Sequence, residues 1–407
     1  MPSEKLVAAL DIGSTKIVAL VGEADEQGGI YVIGHGEAPA EGLRRGIVVN
    51  MEQTVRSIRK AIEDAQMVSG TEIDKVTAGI AGEHVRSLNS HGVIAVSRTD
   101  NEITASDVNR AIEAARTIAI PVDREIIHVI PQEYNVDGQS GIKDPVGMSG
   151  VRLEVEAHIV TASVTTAKNI YRAMERCHLT VDHLVLESIA LSNVLLSDVE
   201  TENGVILVDM GGDISNLSVF YDGAIRHTAV IPLGGRNITN DIAIGLRTAV
   251  TEAENIKIAY GSAIGSGVDE KETISVGKAN GKPPKEISRR VVASIIEPRL
   301  EEILSLVMRE VRQAGMNALP TAGAILTGGG SLLPGVTTLA EQVLDMPVRT
   351  ETFDGIESTP EELQGPRYAT VHGLLKYGFQ NEPVAARKRE NFRGIVRKFE
   401  NWISRQF

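Results

Sequence analysis

Short apolar runs separated by glycine turns dominate the start of the chain. Leu6 to Leu10 is continuously apolar, which predicts a strand buried on both faces. Ile17 to Val21 predicts a second strand, and the turn Gln27-Gly28-Gly29 separates it from a third at Ile30 to Ile33. From about Met51 to Val68 the apolar positions return every three or four residues, as on an amphipathic helix. The same order recurs mid-chain. Val205 to Val208 and Leu217 to Phe220 predict strands, Asp222-Gly223 a turn, Ile225 to Ile231 a third strand, and a helix follows Asn237. Asp11-Ile12-Gly13 and Asp209-Met210-Gly211 hold equivalent places in the two copies, 198 residues apart. A repeat of elements rather than letters predicts two similar α/β domains facing one another.

Two insertions interrupt this duplication. The first domain is expected at 1–83 and 163–200, closed by 366–379, with an inserted subdomain at 84–162. The second is expected at 201–234 and 305–365, with its own subdomain at 235–304. Within the first insertion, Glu102-Ile103-Thr104 opens a helix that runs to about Thr117, and Glu125 to Ile130 reads as a strand. In the second, a helix carrying Ile296 to Glu302 runs to about Arg312. The polar, Pro383-containing stretch 380–391 reads as a linker.

The end of the chain changes pattern again. With Phe392 set at zero and about 100° per residue, Ile395, Val396, Phe399, Trp402, Ile403 and Phe407 fall within an arc of roughly 140°. Arg393, Arg397, Lys398, Glu400, Asn401, Ser404 and Arg405 take the other side, and Gln406 alone intrudes on the apolar one. A helix over 392–407 would reach only about 24 Å, short of a ~30 Å hydrocarbon core, so it is expected to lie in a membrane interface. The bland alternative is a terminal helix docked on the protein's own core.

Composition sharpens that reading. Aromatics are 3% of the chain, yet four of them crowd this tail. The net charge is −13, but residues 387–407 carry seven basic side chains against two acids, leaving −18 on the rest. An acidic body excludes a general nucleic-acid binder, and a basic tail on it suits anionic lipid. Cys177 is the single cysteine, so no internal disulfide forms, and no run is apolar enough to span a membrane.

Three glycine turns carry the candidate chemistry. Gly13-Ser14-Thr15-Lys16 follows a buried strand, and glycine there lets backbone amides and Lys16 approach a phosphate. Gly211-Gly212 repeats the arrangement after Asp209, and a carboxylate at such a strand end suits Mg²⁺ held through water. Ala324 to Thr327 is a short strand that runs into Gly328-Gly329-Gly330-Ser331. Gly234-Gly235 precedes a helix at Ile238 to Leu246, and Glu254 and Lys257 lie three apart on the next. Each feature alone is equally a glycine hairpin or a solvated helix face; their order together is specific.

That order resembles the actin, Hsp70 and sugar-kinase superfamily: an α/β fold of duplicated RNase H-like domains around a nucleotide cleft. The resemblance implies ATP and Mg²⁺ as ligands, with Asp11 and Asp209 flanking the metal and residues 13–16 and 211–212 on the phosphates. It implies Glu254 and Lys257 on the ribose and adenine, with Gly328 to Ser331 opposite, and Gly234 and Gly235 among the ATP-binding residues. Glu187, in Glu187-Ser188-Ile189-Ala190, matches the superfamily residue that positions the attacking water. One departure stands out: Asp213 replaces the usual glycine after Gly212, and a carboxylate near the terminal phosphate is expected to slow hydrolysis.

The first insertion resembles the FtsA cell-division family through Asn89 to Val96, Asp123 to Tyr134, Asp144 to Met148 and His158 to Thr161, and the likeness covers nearly the whole chain. It implies an actin-like fold with an FtsA-type inserted subdomain and a C-terminal amphipathic helix. It implies a peripheral protein on the cytoplasmic face of the inner membrane at the septum. It would form filaments with itself, recruit later division proteins through the insertion, and bind the C-terminal peptide of FtsZ. Arg299 matches a family arginine in that last contact, and Glu302 and Arg290 are further candidates. His128 is read as structural, and His84, His91 and His158 show no metal spacing. A PilM-like scaffold of pilus assembly and a metabolic kinase of the same superfamily fit the same glycine turns; FtsZ-peptide binding and phosphoryl transfer would separate them.

Overall fold

The computed structural model describes residues 5–25, 27–97, 100–277, 285–314, 320–350 and 356–381. The tail helix expected at 392–407, with its membrane-facing residues, lies outside them, as does the linker from residue 382 on; residues 380 and 381, expected in that linker, instead end the helix Ala369–Asn381.

The first domain is built on a five-stranded sheet ordered Thr180–Leu186, Lys75–Ile80, Lys5–Ile12, Lys16–Ala24, Ile30–Pro39. Lys5–Ile12, Lys16–Ala24 and Ile30–Pro39 are antiparallel neighbours, and the other two strands add parallel. The second domain repeats this: Val348–Thr350, Ala324–Thr327, Val205–Met210, Ser215–Tyr221, Ala224–Ile231, with the same mix of directions. The duplication expected from the order of elements is thus present strand for strand.

Alternation explains why the strands read as continuous apolar runs. In the first sheet Leu10, Ile17, Ala19 and Val21 pack under the helices Met51–Ser69 and Val164–Glu175, whereas Ala9, Val18 and Leu20 pack under Ala369–Asn381. Both faces are covered, so successive residues are apolar although their side chains point in opposite directions. Met51–Ser69 begins where the Asn50 side chain accepts the Gln53 N–H and ends at Gly70, φ +67°. It lies so close to Ile30–Pro39 that a Cβ on Gly36 would stand 2.0 Å from the carbonyl oxygen of Ala61.

The chain passes between domains on the helix Glu187–Leu195 and returns on Ala369–Asn381. Leu191, Leu195 and Ala369 join Val205, Leu207, Phe220 and Ile325 in one cluster, so these helices are the shared wall of the two domains. The other face of the second sheet is covered by the helices Gly235–Leu246, Val250–Tyr260, Arg289–Gln313 and Val336–Leu344. Gly235–Leu246 starts two residues before Asn237, because the Asn237 side chain accepts the Gly234 N–H and caps the turn. Arg289–Gln313 runs unbroken through residues 304 and 305, so both parts of the second domain share one core.

The inserted subdomain is a four-stranded sheet ordered Arg86–Ala95, Arg152–Ser163, Arg124–Val136, Gln139–Ile142, with the helix Ala105–Arg116 on one face. It grows from the first domain but docks on the second along Ala224–Ile231. His158 shares hydrogen bonds with Asn89 and Thr228, Gln132 donates to the Ile225 carbonyl at 2.7 Å, and Ser87 to that of Thr228 at 3.0 Å. Lys143 reaches Glu202 and the Asp222 carbonyl from the same side. His128 ties the insertion to the first domain instead, accepting the Leu186 N–H at 3.0 Å. Burial pulls both imidazoles down to about 4, so they sit neutral in structural roles.

Candidate functional site

A cavity of about 570 Å³ opens between the two domains. Asp11, Gly13, Ser14, Thr15, Lys16, Glu187, Asp209, Gly211, Gly212, Gly235, Glu254, Lys257, Gly328, Gly329 and Gly330, all singled out from the sequence, line it. Gly234 and Ser331 do not. A Cβ on Gly234 would press on the Gly211 and Gly212 carbonyls at 2.7 Å, and the Ser331 hydroxyl donates to the Gly328 carbonyl. Both shape the loops from behind.

Strand register aims the two acidic turns at each other. Asp11 pairs with Val18 in its hairpin and Asp209 with Asn216 in the other. The turns meet so closely that a Cβ on Gly212 would lie 2.3 Å from Thr15 Cγ2. Gly328, at φ +78°, rests on Asp209: a Cβ there would stand 2.3 Å from the carboxylate, and this backbone conformation also disfavours side chains.

The end of the cavity beside the two acidic turns concentrates buried charge. Asp11 and Glu187 are buried, and Asp209 is half-buried beside them. Burial pushes Asp11 up to about 7, opposed by Lys16 and reinforced by Asp209. Burial raises Asp209 to about 6, opposed by the Asn216 amide, and drives Glu187 well above the carboxylate range, with Asp11 and Asp209 adding repulsion. Lys16 is lowered to about 8, first by burial, with Glu37 and Asp11 holding it up. Its ammonium lies 3.2 Å from the Tyr368 ring centre and 3.6 Å from Glu37, and makes no hydrogen bond. An unsatisfied cation beside two glycine turns suits a phosphate.

An all-oxygen set of crowded carboxyl groups suits Mg²⁺. Among the described residues no three His, Cys, Asp or Glu side chains stand close enough to share an ion directly.

At the far end, Lys257 donates to Glu254 at 2.7 Å, Thr239 at 2.9 Å and the Gly235 carbonyl at 3.2 Å. Ile238, Val250, Ile258, Leu332, Leu333 and Pro334 form an apolar wall around this triad. Ile258 is 73% exposed and Leu332 54%, which leaves large apolar area for a flat ring to cover.

Asp213 does not stand in the cavity. Its carboxylate pairs with Arg236 at 2.9 Å and accepts the Arg45 N–H of the opposite domain at 3.0 Å, while Arg236 also donates to the Ser14 carbonyl. The charge expected beside the terminal phosphate is therefore neutralised within a clasp across the domain boundary, and the slow hydrolysis expected from it loses that ground. Sequence reasoning also missed Arg236, Asn216, Thr239, Pro366, Arg367 and Thr370, which line the cavity from a strand, helices and loops.

The three candidates on the helix Arg289–Gln313 sit away from the cleft and are paired internally. Arg299 holds Asp241 through Nε at 2.6 Å and Nη2 at 3.2 Å, and also meets Glu302; Arg290 pairs with Glu270.

Fold and cleft together define an actin-like α/β protein. Solved structures share this fold: a chain of the PilM-PilN type IV pilus biogenesis complex matches with TM-score 0.69 at 18% identity, covering 93% of this chain and 99% of that one. MreB5 of Spiroplasma citri bound to ADP matches with TM-score 0.56 at 13% identity, covering 98% and 100%. The signature of the family described as Cell division protein FtsA matches residues 206–373, and that of the SHS2 domain inserted in FTSA matches residues 82–161. The cell division protein FtsA of Pseudomonas aeruginosa is 44% identical over 380 residues, 93% of this chain and 91% of its own length. That of Neisseria meningitidis serogroup B is 39% identical over 412 residues, 99% of each. The chain belongs to the FtsA family of actin-like cell-division proteins.

Proposed function

We propose that this protein binds ATP with Mg²⁺ in the cleft, assembles into filaments on the cytoplasmic face of the inner membrane at the division septum, and holds FtsZ there. It acts as a structural adaptor first. The observation that carries the nucleotide reading is the pair of equivalent acidic turns facing each other across one cavity, with Lys16 uncommitted at one end and the Lys257 triad in an apolar wall at the other. Glu187, at the head of the connecting helix, is the candidate for orienting water.

Membrane attachment is assigned to residues 392–407. Each large apolar side chain of that face contributes up to ~1.5–3 kcal/mol if fully buried, and each cation near anionic lipid about 1 kcal/mol. Ordering the helix offsets much of this. A single anchor therefore binds reversibly, whereas a filament binds firmly through its many copies. FtsZ recruitment is assigned to the face carrying Arg299, Glu302 and Arg290. An incoming C-terminal carboxylate would compete there with Asp241 for the Arg299 guanidinium. The inserted subdomain is the proposed contact for later division proteins.

The test is co-sedimentation with anionic liposomes of the full chain and of a chain ending at Asn391, each with and without ATP and FtsZ. The full chain should pellet, more so with ATP, and bring FtsZ with it. Equal pelleting of the two chains would refute the anchor, and absence of any ATP effect would refute the coupling.

A further inference from the structure

Asn216 occupies a place in the cleft that neither the glycine turns nor the acidic pair accounts for. It lies on Ser215–Tyr221, opposite Asp209 in the ladder, and is 6% exposed. Its side-chain amide donates to Asp209 Oδ2 at 3.2 Å and to Glu187 Oε2 at 3.4 Å. An amide nitrogen has two N–H donors, and each of them here faces a carboxyl oxygen, so both donors are committed. The other end, Oδ1, is buried with no partner, and Asn216 lines the cavity. Two acidic side chains from different domains are thus held together by a neutral group. Glu187 heads the connecting helix, and Asp209 ends the first strand of the second domain.

Resting on the reading of this cleft as an Mg²⁺-nucleotide site, we infer that Asn216 is a positioning residue that does part of a cation's work. Its donors bridge Asp209 and Glu187 when no metal is present. The consequence is low cation dependence. A bare protein with the bridge intact keeps the two carboxyl groups aligned, so added Mg²⁺ has little left to correct. Without the bridge, the two carboxyl groups face each other with no donor between them, and a cation is what would hold them together.

The full chain, its Asn216→Asp variant and its Asn216→Ala variant are melted without nucleotide, in EDTA and in Mg²⁺. The wild type should show the same midpoint in both to within about 1 °C. Both variants should melt lower in EDTA and recover by roughly 2 °C or more in Mg²⁺, the Asp variant most, since it adds a carboxylate to the same site. In ATP titrations the ratio of Kd in EDTA to Kd in Mg²⁺ should rise about tenfold in the Asp variant, the scale of a charge-assisted hydrogen bond exchanged for a cation contact. Variants that lose stability equally in EDTA and Mg²⁺ would show a merely structural residue and overturn the inference. So would a wild type whose midpoint rises with Mg²⁺ as much as the variants'. Failure of the wild type to bind ATP would instead sink the reading of the cleft, while the nucleotide-free melts still decide the role of Asn216.

Discussion

Lys16 is the side chain on which the proposed phosphate contact turns. It is buried, cationic, and held only by an aromatic face and a carboxylate 3.6 Å away. Lys16→Met should weaken ATP binding at least about tenfold, measured by fluorescence titration, because a charge-assisted contact is lost in a dry site. Unchanged affinity would place the phosphates elsewhere. Asp213 presents the opposite case, a charge that the fold has already answered. Arg236→Ala should cost about 1–2 kcal/mol in urea unfolding, a modest figure because the guanidinium is 44% exposed. Adding Asp213→Asn should recover much of the loss, since the stranded charge is then gone; an additive double variant would deny the pair any coupling. From the sequence Asp213 was legible as an odd residue but not as a paired one. Arg236 lies 23 positions away, and Arg45 arrives from the other domain.

Between elements, the contacts that matter are made where side chains are absent or polar. Gly36 lets Met51–Ser69 lie on the sheet, and Gly373 does the same for Ala369–Asn381, where a Cβ would meet the Ala190 carbonyl at 2.2 Å. Gly36→Ala should destabilise by roughly 2–3 kcal/mol, read from urea unfolding, because backbone must shift to relieve the overlap. The docking seam of the insertion depends on His158, whose value in the fold is about 4 against about 6.5 in an open chain. Between those values the unfolded chain takes the proton and the folded one does not. This residue's contribution is therefore intact above about pH 6.5, drains as pH falls, and is gone near pH 4. His158→Gln should be less stable than wild type at pH 7, and the gap should narrow steadily toward pH 4 in melting experiments. A constant gap would mean the imidazole titrates alike in both states. The strands of this seam were readable from their apolar pattern. Their partner on the second domain was not, because the hydrogen bonds join residues such as Gln132 and Ile225 that lie 93 apart.

Across the whole molecule, the cleft is made by both domains and by the two helices between them. A ligand held there stabilises the folded state by about 2.7 kcal/mol at a hundredfold excess over its Kd, so ATP should raise the melting midpoint of the entire chain, not of one lobe. A second transition left unmoved by ATP would show the lobes unfolding independently. The sequence by itself determined the duplicated α/β plan, the place of the insertion, and the glycine-turn and charged part of the cavity lining. Those features are written in local patterns: alternating burial along strands, and glycine where backbone must pass close. What it could not determine is which charges are free and which are spent. Burial and pairing are properties of distance in space, and only the folded chain brings Arg236 to Asp213, Tyr368 to Lys16, and Asn216 between Asp209 and Glu187.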